Sequence, residues 1–438
     1  MNPMIKPSRR PSTRTLLALA LMGSLPVLQQ NAQAQPGLTL DAGATHNAML
    51  SQINDTPVVN IAAPNGAGVS HNRFTEFNVG AAGLILNNST TGAQTTLGGA
   101  IGGNSLLNGT SAGVILNEVT GKTASSINGL IEVAGPSARV IIANPNGITA
   151  SGAGFINANR VSLVAGTAVL DANGQVARLQ TDHGRIRVEG AGLDASGANE
   201  VDLVSRTLQI NAQLQAKKLN AVALKGEVDA ADPTTVLKRL GADGTADIAI
   251  DVAQLGSMHA DSIRLLGQSA GVGVNVEGKV NALTGNLKVT ADGKVQIAST
   301  GVLEAKQALA ISGDISNKGV LRNGGSLSLV GNLDTQGPIR LGGNTGVSGK
   351  LQPGSIITGG TSGNATVGQN GIGIVINRPA ASYPSYPAYP VAPVAPVAWN
   401  KPVASYPAFN WSAYPAFAFN SAAGVKQPAR VLPQPRYW

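Results

Sequence analysis

Residues that could do chemistry are few in this sequence, and they lie far apart. The four histidines, His46, His71, His183 and His259, do not show the spacing of a helical metal site. The chain has no cysteine, which excludes a thiolate nucleophile and any zinc or iron–sulfur site built on sulfur. The carboxylates are scattered singly, as is typical of solvated surface charges. The sequence therefore predicts a protein that is not an enzyme and that holds no metal or cofactor.

Two motifs that carry chemistry can be tested against the sequence. Gly346–Lys350 reads Gly-Val-Ser-Gly-Lys, like the end of a phosphate-binding loop. The first glycine of that motif would fall at Asn344 and its hydroxyl at Leu351, so the motif is absent. No Gly-x-Ser-x-Gly elbow of a serine hydrolase occurs either.

The charge of the chain is concentrated at its two ends. The net charge is +8, and only 12% of the 438 residues are charged. Residues 1–34 and 378–438 carry basic residues without acidic ones, whereas between them 22 basic residues face 23 acidic ones. A nucleic-acid-binding protein needs a basic surface on its folded part, because phosphate neutralisation supplies most of the affinity. We therefore expect no nucleic-acid partner.

The N-terminal segment, 1–34, has the features of a secretory signal peptide. A basic start from Lys6 to Arg14 precedes the apolar stretch Leu16–Leu25, which is too short to span a bilayer. Small residues follow, and we expect cleavage between Ala34 and Gln35. The sequence thus predicts export from the cytoplasm.

The body, residues 35–377, is a series of short strand signals separated by Gly, Asn and Asp. Some strands alternate apolar and polar residues, while others, such as Val140–Ile142 and Val161–Val164, are nearly continuous, as in strands covered on both faces. Similar strands begin at Ile263, Leu287, Leu309 and Leu327, which is a period of roughly 20 residues. This repeat predicts an all-β solenoid, a parallel β-helix, rather than a β-sandwich. Aromatics make up only 3% of the chain, which suits a narrow aliphatic interior.

The two ends of the body need separate explanations. An open β-helix end would be an unpaired sheet edge, so we expect residues 35–60 to form an N-terminal cap. Residues 378–438 hold 12 of the 24 prolines and all tyrosines and tryptophans. Proline removes ladder donors, so this segment is expected to be a disordered Pro/Tyr-rich tail.

The most informative stretch, residues 57–167, carries several motifs in a fixed order. They are Pro57–Ile61, Gly68–Phe74, Phe77–Val79, Gly83–Asn88, Ile115–Val119, Ile141–Ile148 and Gly154–Ala158. In order and spacing they closely resemble the secretion domain of filamentous haemagglutinin-like exoproteins of two-partner secretion. The resemblance extends to about residue 345. It implies a secretion (haemagglutination activity) domain over 61–225 and further β-helix repeats over 226–377.

The resemblance also implies a fold, a route and a partner. The fold is a right-handed parallel β-helix, exported unfolded through a dedicated outer-membrane barrel transporter whose periplasmic domains recognise the N-terminal region. The absence of cysteine suits such a route, because a disulfide-locked chain could not thread a barrel. By resemblance and position, the candidate recognition residues are Asn72, Phe74, Phe77, Asn78, Asn117, Glu118, Asn144, Pro145, Asn146, Gly147 and Ile148.

The residues of these motifs also have a purely structural interpretation. In Asn144–Gly147, proline fixes φ and Asn-Gly readily adopts positive φ, which predicts a tight turn after the Val140–Ile142 strand. Turn formation and direct contact with the partner both remain open. Phe74 and Phe77 are interpreted first as rings that fill the cap or first coils, with exposed partner contacts as the alternative. The family's second Asn-Pro-Asn motif falls near Asn104, where this chain departs from it.

Taken together, the sequence predicts a monomeric exoprotein at the bacterial surface or in the medium. Its expected activity is that of a small haemagglutinin-like adhesin, with the Tyr/Pro tail as a candidate contact to glycans or an anionic surface. Two alternatives remain. One is a polysaccharide-acting β-helix enzyme, which would need carboxylates grouped in one groove, and the other is a truncated, non-adhesive decoy. A toxin of the same pathway would need a C-terminal effector, and no folded domain is expected after residue 377.

Overall fold

A computed structural model describes most of the body of the chain. It describes residues 37–45, 48–241, 248–268, 271–343 and 345–348, with three further strands at Ile356–Gly359, Ala365–Val367 and Ile374–Asn377. The expected signal peptide with its Ala34–Gln35 cleavage site and the expected tail over 378–438 lie outside the described residues. Within the described residues the helical structure is one 3₁₀ turn, Ser105–Leu107, and no helix is long and apolar enough to cross a membrane.

The strands form three stacks of parallel, hydrogen-bonded rungs, here called faces A, B and C, and the chain visits them in turn. Face A comprises Val69–Phe77, Val114–Val119, Ala138–Ala143, Ala158–Val164, Glu200–Ser205, Lys218–Ala223, Ser262–Gly267, the first halves of Leu287–Ile297 and Leu309–Asn317, Leu327–Val330, Thr345–Ser348 and Ala365–Val367. Face B comprises Ser125–Ile127, Ile148–Ala150, Arg185–Val188, Thr207–Ile210, Ile250–Val252, Val272–Val276, the second halves of Leu287–Ile297 and Leu309–Asn317, and Leu333–Thr335. Face C comprises Thr56–Asn60, Leu84–Asn87, Leu130–Ala134, Ala153–Ile156, Leu193–Asp194, Gln213–Gln215, Ser257–Ala260, Lys279–Ala282, Val302–Ala305, Val320–Asn323, Ile339–Leu341, Ile356–Gly359 and Ile374–Asn377.

This arrangement is the parallel β-helix expected from the sequence. Each rung takes its backbone hydrogen bonds from the coils before and after it, and side chains that point inward fill a continuous, mainly aliphatic lumen. The repeat identified in the sequence is the coil itself. Ile263 pairs with Leu287, Leu287 with Leu309, and Leu309 with Leu327, so each step of that repeat is a single turn of the helix.

The first coil is closed by antiparallel strands, so the solenoid does have an N-terminal cap. Leu38–Leu40 pairs antiparallel with the end of Val69–Phe77 on face A, and Met49–Ile53 pairs antiparallel with Thr56–Asn60 on face C. Thr56–Asn60 itself lies parallel to Leu84–Asn87, as a rung does. The antiparallel strands occupy the sheet edges that would otherwise expose unpaired donors and acceptors.

Strands with continuous apolar residues are covered on both faces, as their pattern predicts. On face C, a hairpin formed by Gly92–Thr95 and Gly99–Gly102 packs over Ile85. On face A, two hairpins leave the solenoid and join into one antiparallel sheet, here called the outer sheet, which buries a second apolar core. Its strands, in spatial order, are Thr167–Leu170, Val176–Thr181, Gly226–Asp229 and Val236–Arg239.

The corners between faces are occupied by asparagine and glycine. Asn87 Nδ2 donates to Asn60 Oδ1 in the preceding coil at 2.9 Å, so these corner amides stack along the axis. Glycine corners stack more closely still. A Cβ on Gly319 would lie 2.2 Å from the Gly301 carbonyl oxygen, and one on Gly337 would lie 2.0 Å from the Gly319 oxygen. At these corners only glycine allows successive coils to approach.

The two rings near the cap should dominate its stability. Phe74 and Phe77 are buried and meet edge to face at 4.9 Å between ring centroids. We predict that Phe74→Ala lowers the free energy of unfolding by about 3–5 kcal/mol, because it removes a buried ring and leaves a cavity. Leu255→Ala is the control, since Leu255 is 87% exposed and should change stability by less than about 0.5 kcal/mol. Urea denaturation measures both, and equal effects would contradict the assigned packing.

Candidate functional site

The Asn-Pro-Asn-Gly motif forms the corner between faces A and B. The strand Ala138–Ala143 ends directly before it, and Gly147 N donates to the Asn144 carbonyl oxygen at 3.1 Å. This hydrogen bond confirms the predicted turn. Gly147 has a φ of +116°, and a Cβ there would lie 2.9 Å from the Arg185 carbonyl oxygen of the next coil. Glycine is therefore needed both for the backbone conformation and for the close approach.

The two asparagines of the motif fasten this corner to the coil before it. Asn144 Nδ2 donates to the Thr123 carbonyl oxygen and to Ser125 Oγ, both at 2.9 Å. Asn144 Oδ1 accepts from the backbone N and from Nδ2 of Asn146, and Asn146 Nδ2 also donates to the Gly121 carbonyl oxygen at 2.9 Å. In the folded protein the motif thus links two successive corners through hydrogen bonds of its side-chain amides.

Asn104, where the second family motif is missing, links neighbouring segments in the same way, through hydrogen bonds of its side-chain amide. Its Nδ2 donates to the carbonyl oxygens of Ile61 and Asn87 at 2.8 and 3.0 Å. Its Oδ1 accepts from Leu106 N and so caps the 3₁₀ turn Ser105–Leu107. The buried Asn104 amide therefore makes these hydrogen bonds although the Pro-Asn sequence that follows it in the family motif is absent.

The candidate residues of the first two coils fall on opposite sides of face A. Asn72 and Asn117 point into the lumen, where Asn72 Nδ2 donates to Asn117 Oδ1 at 3.3 Å and Asn72 Oδ1 accepts from Ala62 N. Glu118 points outward and lies 2.8 Å from His71 Nε2. Asn78, at the end of the Val69–Phe77 strand, accepts from Ser126 N with its Oδ1.

Burial divides the candidate recognition residues into two groups. Asn72, Phe74, Phe77, Asn117, Asn144, Gly147 and Ile148 are buried in the folded chain. Asn78, Glu118, Pro145 and Asn146 are half-buried. The structure therefore brings only Pro145 and Asn146 of the turn motif partly to the surface, and it does not gather the whole set into one exposed patch. A partner that reads the buried group must meet the chain before the coils close.

Sequence reasoning missed a buried ionic cluster between face A and the outer sheet. The Asp202 side chain is 0% exposed and accepts from Arg160 Nε at 2.8 Å, Ser162 Oγ at 2.7 Å and Asn220 Nδ2 at 2.9 Å. Arg139 Nη2 lies 3.5 Å from Asp202 Oδ2. Burial, and after it the repulsion from Arg160, lowers the pKa of the Arg139 guanidinium to about 10. Asp202 is therefore not the isolated surface charge that the sequence predicts, because the coil register places residues that are distant in sequence beside one another.

A second group of carboxylates lies along the corner between faces A and B in later coils. An open cavity of about 640 Å³ is lined by Asp292, Lys294 and Asp314, and an adjoining one of about 240 Å³ adds Asp334. Asp292 contacts Arg239, and Asp314 accepts from both the backbone and side-chain nitrogens of Asn332. Among the described residues no three His, Asp or Glu side chains are placed to hold a metal ion.

The comparisons with known proteins agree with this architecture. A sequence model described as the TPS secretion domain, the two-partner secretion module, matches residues 34–297. The chain belongs to the TPS secretion domain family. Proteins with this domain are exported across the outer membrane and are secreted or displayed at the surface, and the domain implies a dedicated outer-membrane transporter as partner.

Similar proteins extend this result. The chain is 40% identical over 309 residues to Toxin CdiA of Yersinia pestis and 43% identical over 285 residues to the 16S rRNA endonuclease CdiA of Enterobacter cloacae subsp. cloacae. These alignments cover 69% and 64% of this chain but only 9% and 8% of the relatives. A crystal structure of the filamentous hemagglutinin secretion domain aligns with a TM-score of 0.51 and 26% identity, covering 77% of this chain and 99% of that one.

The cluster under the outer sheet should make the TPS domain sensitive to acid. Burial disfavours the Glu200 carboxylate, but contacts with Lys218, Arg160 and Asn220 outweigh that cost and hold its pKa below the usual value. A lowered pKa stabilises the fold above the pKa of the unfolded chain, about 4.3, and that stability is lost as the pH falls. We predict a weaker acid dependence of unfolding between about pH 5 and 3 for Glu200→Gln. Glu277→Gln, at an exposed carboxylate, should keep the dependence of the unmodified protein.

Proposed function

We propose that this TPS exoprotein crosses the outer membrane unfolded and is recognised there through its Asn-Pro-Asn-Gly turn while the coils are still open. The observation that carries the proposal is that most of the candidate recognition side chains are buried once the coils have formed. Pro145 and Asn146 are half-buried, so a partner could still contact them after the other residues of the motif have been buried by folding. Folding coil by coil at the far side would then oppose backward movement, because each coil contacts mainly its neighbours.

Substitution of two corner asparagines distinguishes an effect on recognition from an effect on folding. Asn146 and Asn157 each donate two side-chain hydrogen bonds at a corner, but Asn157 lies outside the motif and has a φ of +57°. Asn157→Ala should cost at least as much stability as Asn146→Ala, because alanine is strained at positive φ.

We predict that Asn146→Ala reduces export through the transporter by about tenfold or more, whereas Asn157→Ala leaves export near its normal level. Secreted protein is measured in the medium beside the periplasmic pool, in cells that express the transporter. Equal export of the two variants would show that Asn146 serves the turn alone. Accumulation of both in the periplasm would instead attribute the effect to folding.

For the exported protein we propose an adhesive role at the cell surface. The support is the family membership and the concentration of tyrosine, tryptophan and basic residues in 378–438, which could stack on sugars or contact an anionic surface. The names of the relatives support a second candidate, a part in toxin delivery, although this chain spans less than a tenth of their length.

The adhesive role predicts that removal of residues 378–438 lowers binding to host cells by about tenfold without changing secretion. The reason is that the aromatic and basic side chains are lost while the secretion domain is left intact. Red-cell agglutination and cell binding, normalised to secreted protein, measure the effect. Equal binding with and without the segment would exclude it as the contact. No binding by either form would favour a non-adhesive decoy, and growth of competing bacteria in co-culture tests the toxin alternative.

A further inference from the structure

The outer surface of face A carries an apolar column that the solenoid alone would expose to water. One residue per coil stands in register from Ala143 through Val164, Val204 and Val222 to Leu266. All five are buried by the outer sheet. In the next coil the same column continues with the polar Thr290, and the covered stretch ends. The outer sheet therefore covers only those coils whose residue in this column is apolar.

The cover is assembled from two hairpins that lie well apart in sequence. The hairpin 167–181 follows the face A strand Ala158–Val164, and the hairpin 226–239 follows Lys218–Ala223, two coils later. They join along one seam, where Val176–Thr181 pairs antiparallel with Gly226–Asp229. Leu179 and Val228 meet across this seam and are buried in the second core. Neither hairpin covers the column by itself.

The outer sheet is also tied down at both of its ends. At the tip of the first hairpin, the Gly174 carbonyl oxygen accepts from Asn65 Nδ2 in the first coil at 2.8 Å. At the end of the second hairpin, Arg239 contacts Asp292 in the coil Leu287–Ile297. The outer sheet thus connects the first coil with the coil at 287–297, although the residues in each contact are 109 and 53 positions apart in sequence.

We infer that the outer sheet is a clasp that turns the coils up to residue 297 into one cooperative folding unit. In an ordinary solenoid each repeat contacts only its neighbours, so stability is gained coil by coil and the ends fray. The clasp couples coils that do not touch each other. The TPS secretion domain match ends at residue 297, which is also the last residue of the strand Leu287–Ile297 that holds Asp292, the partner of Arg239. The limit of the clasp and the limit of the module therefore coincide.

The order in which the chain emerges then sets when the clasp closes. The first hairpin presents an unpaired strand edge and part of an apolar face until residues 226–239 arrive. The second hairpin gains its outer contact only when Leu287–Ile297 has been added. If the export proposed above delivers the N-terminal coils first, the chain stays only locally stable until that last coil of the unit has emerged.

Hydrogen exchange on the purified full-length chain tests the clasp without the transporter. We expect the slowest amides of each rung from Val114–Val119 to Leu287–Ile297 to exchange at one common rate, here called the plateau. Exchange should be faster in later coils. Leu179→Ala should replace this plateau by a gradient, with exchange in Leu287–Ile297 accelerated by about tenfold or more although that coil does not contain the seam. Arg178→Ala is the control: it removes only a partly exposed ion pair with Glu227 across the seam, which contributes little to stability, so the plateau should remain.

Two cysteine pairs that share one position provide a rescue experiment in this cysteine-free chain. Gln180 lies opposite Glu227 across the seam and opposite Thr167 within the first hairpin. Directly opposed residues of antiparallel strands are close enough for a disulfide. In the Leu179→Ala background, an oxidised Q180C/E227C pair should restore the plateau, while an oxidised T167C/Q180C pair should not.

The outcomes separate a clasp from a local lid. Restoration of the plateau by the seam pair alone supports the clasp. A gradient already present in the unmodified chain would overturn it, as would loss of protection in Leu179→Ala limited to the two hairpins and the strands beneath them. Equal rescue by both pairs would also overturn it, because stapling one hairpin cannot couple distant coils. If Leu179→Ala does not fold, Val228→Ala on the other side of the seam takes its place.

Discussion

Every coil of this protein depends on its neighbours for its backbone hydrogen bonds. A coil of three short strands cannot satisfy its own amide and carbonyl groups, and it cannot bury its inward side chains alone. Stacking meets both needs at once, and it explains why the lumen is aliphatic and why the first rung is covered by antiparallel strands. The same constraint reaches the corners, where the chain must turn without disturbing the spacing of the rungs. Asparagine amides and glycines occupy these corners because they bond to, or closely approach, the coil before.

The fold could be predicted from the sequence because stacking leaves a periodic record. Leu287, Leu309 and Leu327 recur at the interval of one coil, and continuous strands such as Ala138–Ala143 indicate cover on both faces. What covers them could not be predicted. The two hairpins of the outer sheet read as ordinary strands, and their pairing depends on which coils bring them side by side. The cluster around Asp202 was missed for the same reason, since Arg139, Arg160 and Asp202 become neighbours only through the register.

In the proposed function, the residues of the turn motif have both a structural role and a recognition role. In the folded chain Asn144 and Asn146 serve the corner, and their side-chain groups are engaged by the preceding coil. In an extended chain the same amides are free to bind elsewhere. Folding would then withdraw the signal from any partner that reads it, which gives release a direction without a separate energy source.

The uniform length of the later coils has a consequence for how such proteins evolve. Leu309 pairs with Leu327 and Leu327 with Thr345, so these successive coils contain the same number of residues, with stacked glycines at the same corners. An in-frame duplication of one such unit in the gene would insert a complete turn and leave the register on either side unchanged. Under the outer sheet a similar duplication would shift one hairpin away from the other. The series of later coils can therefore be lengthened or shortened by recombination, whereas the N-terminal part must be inherited whole.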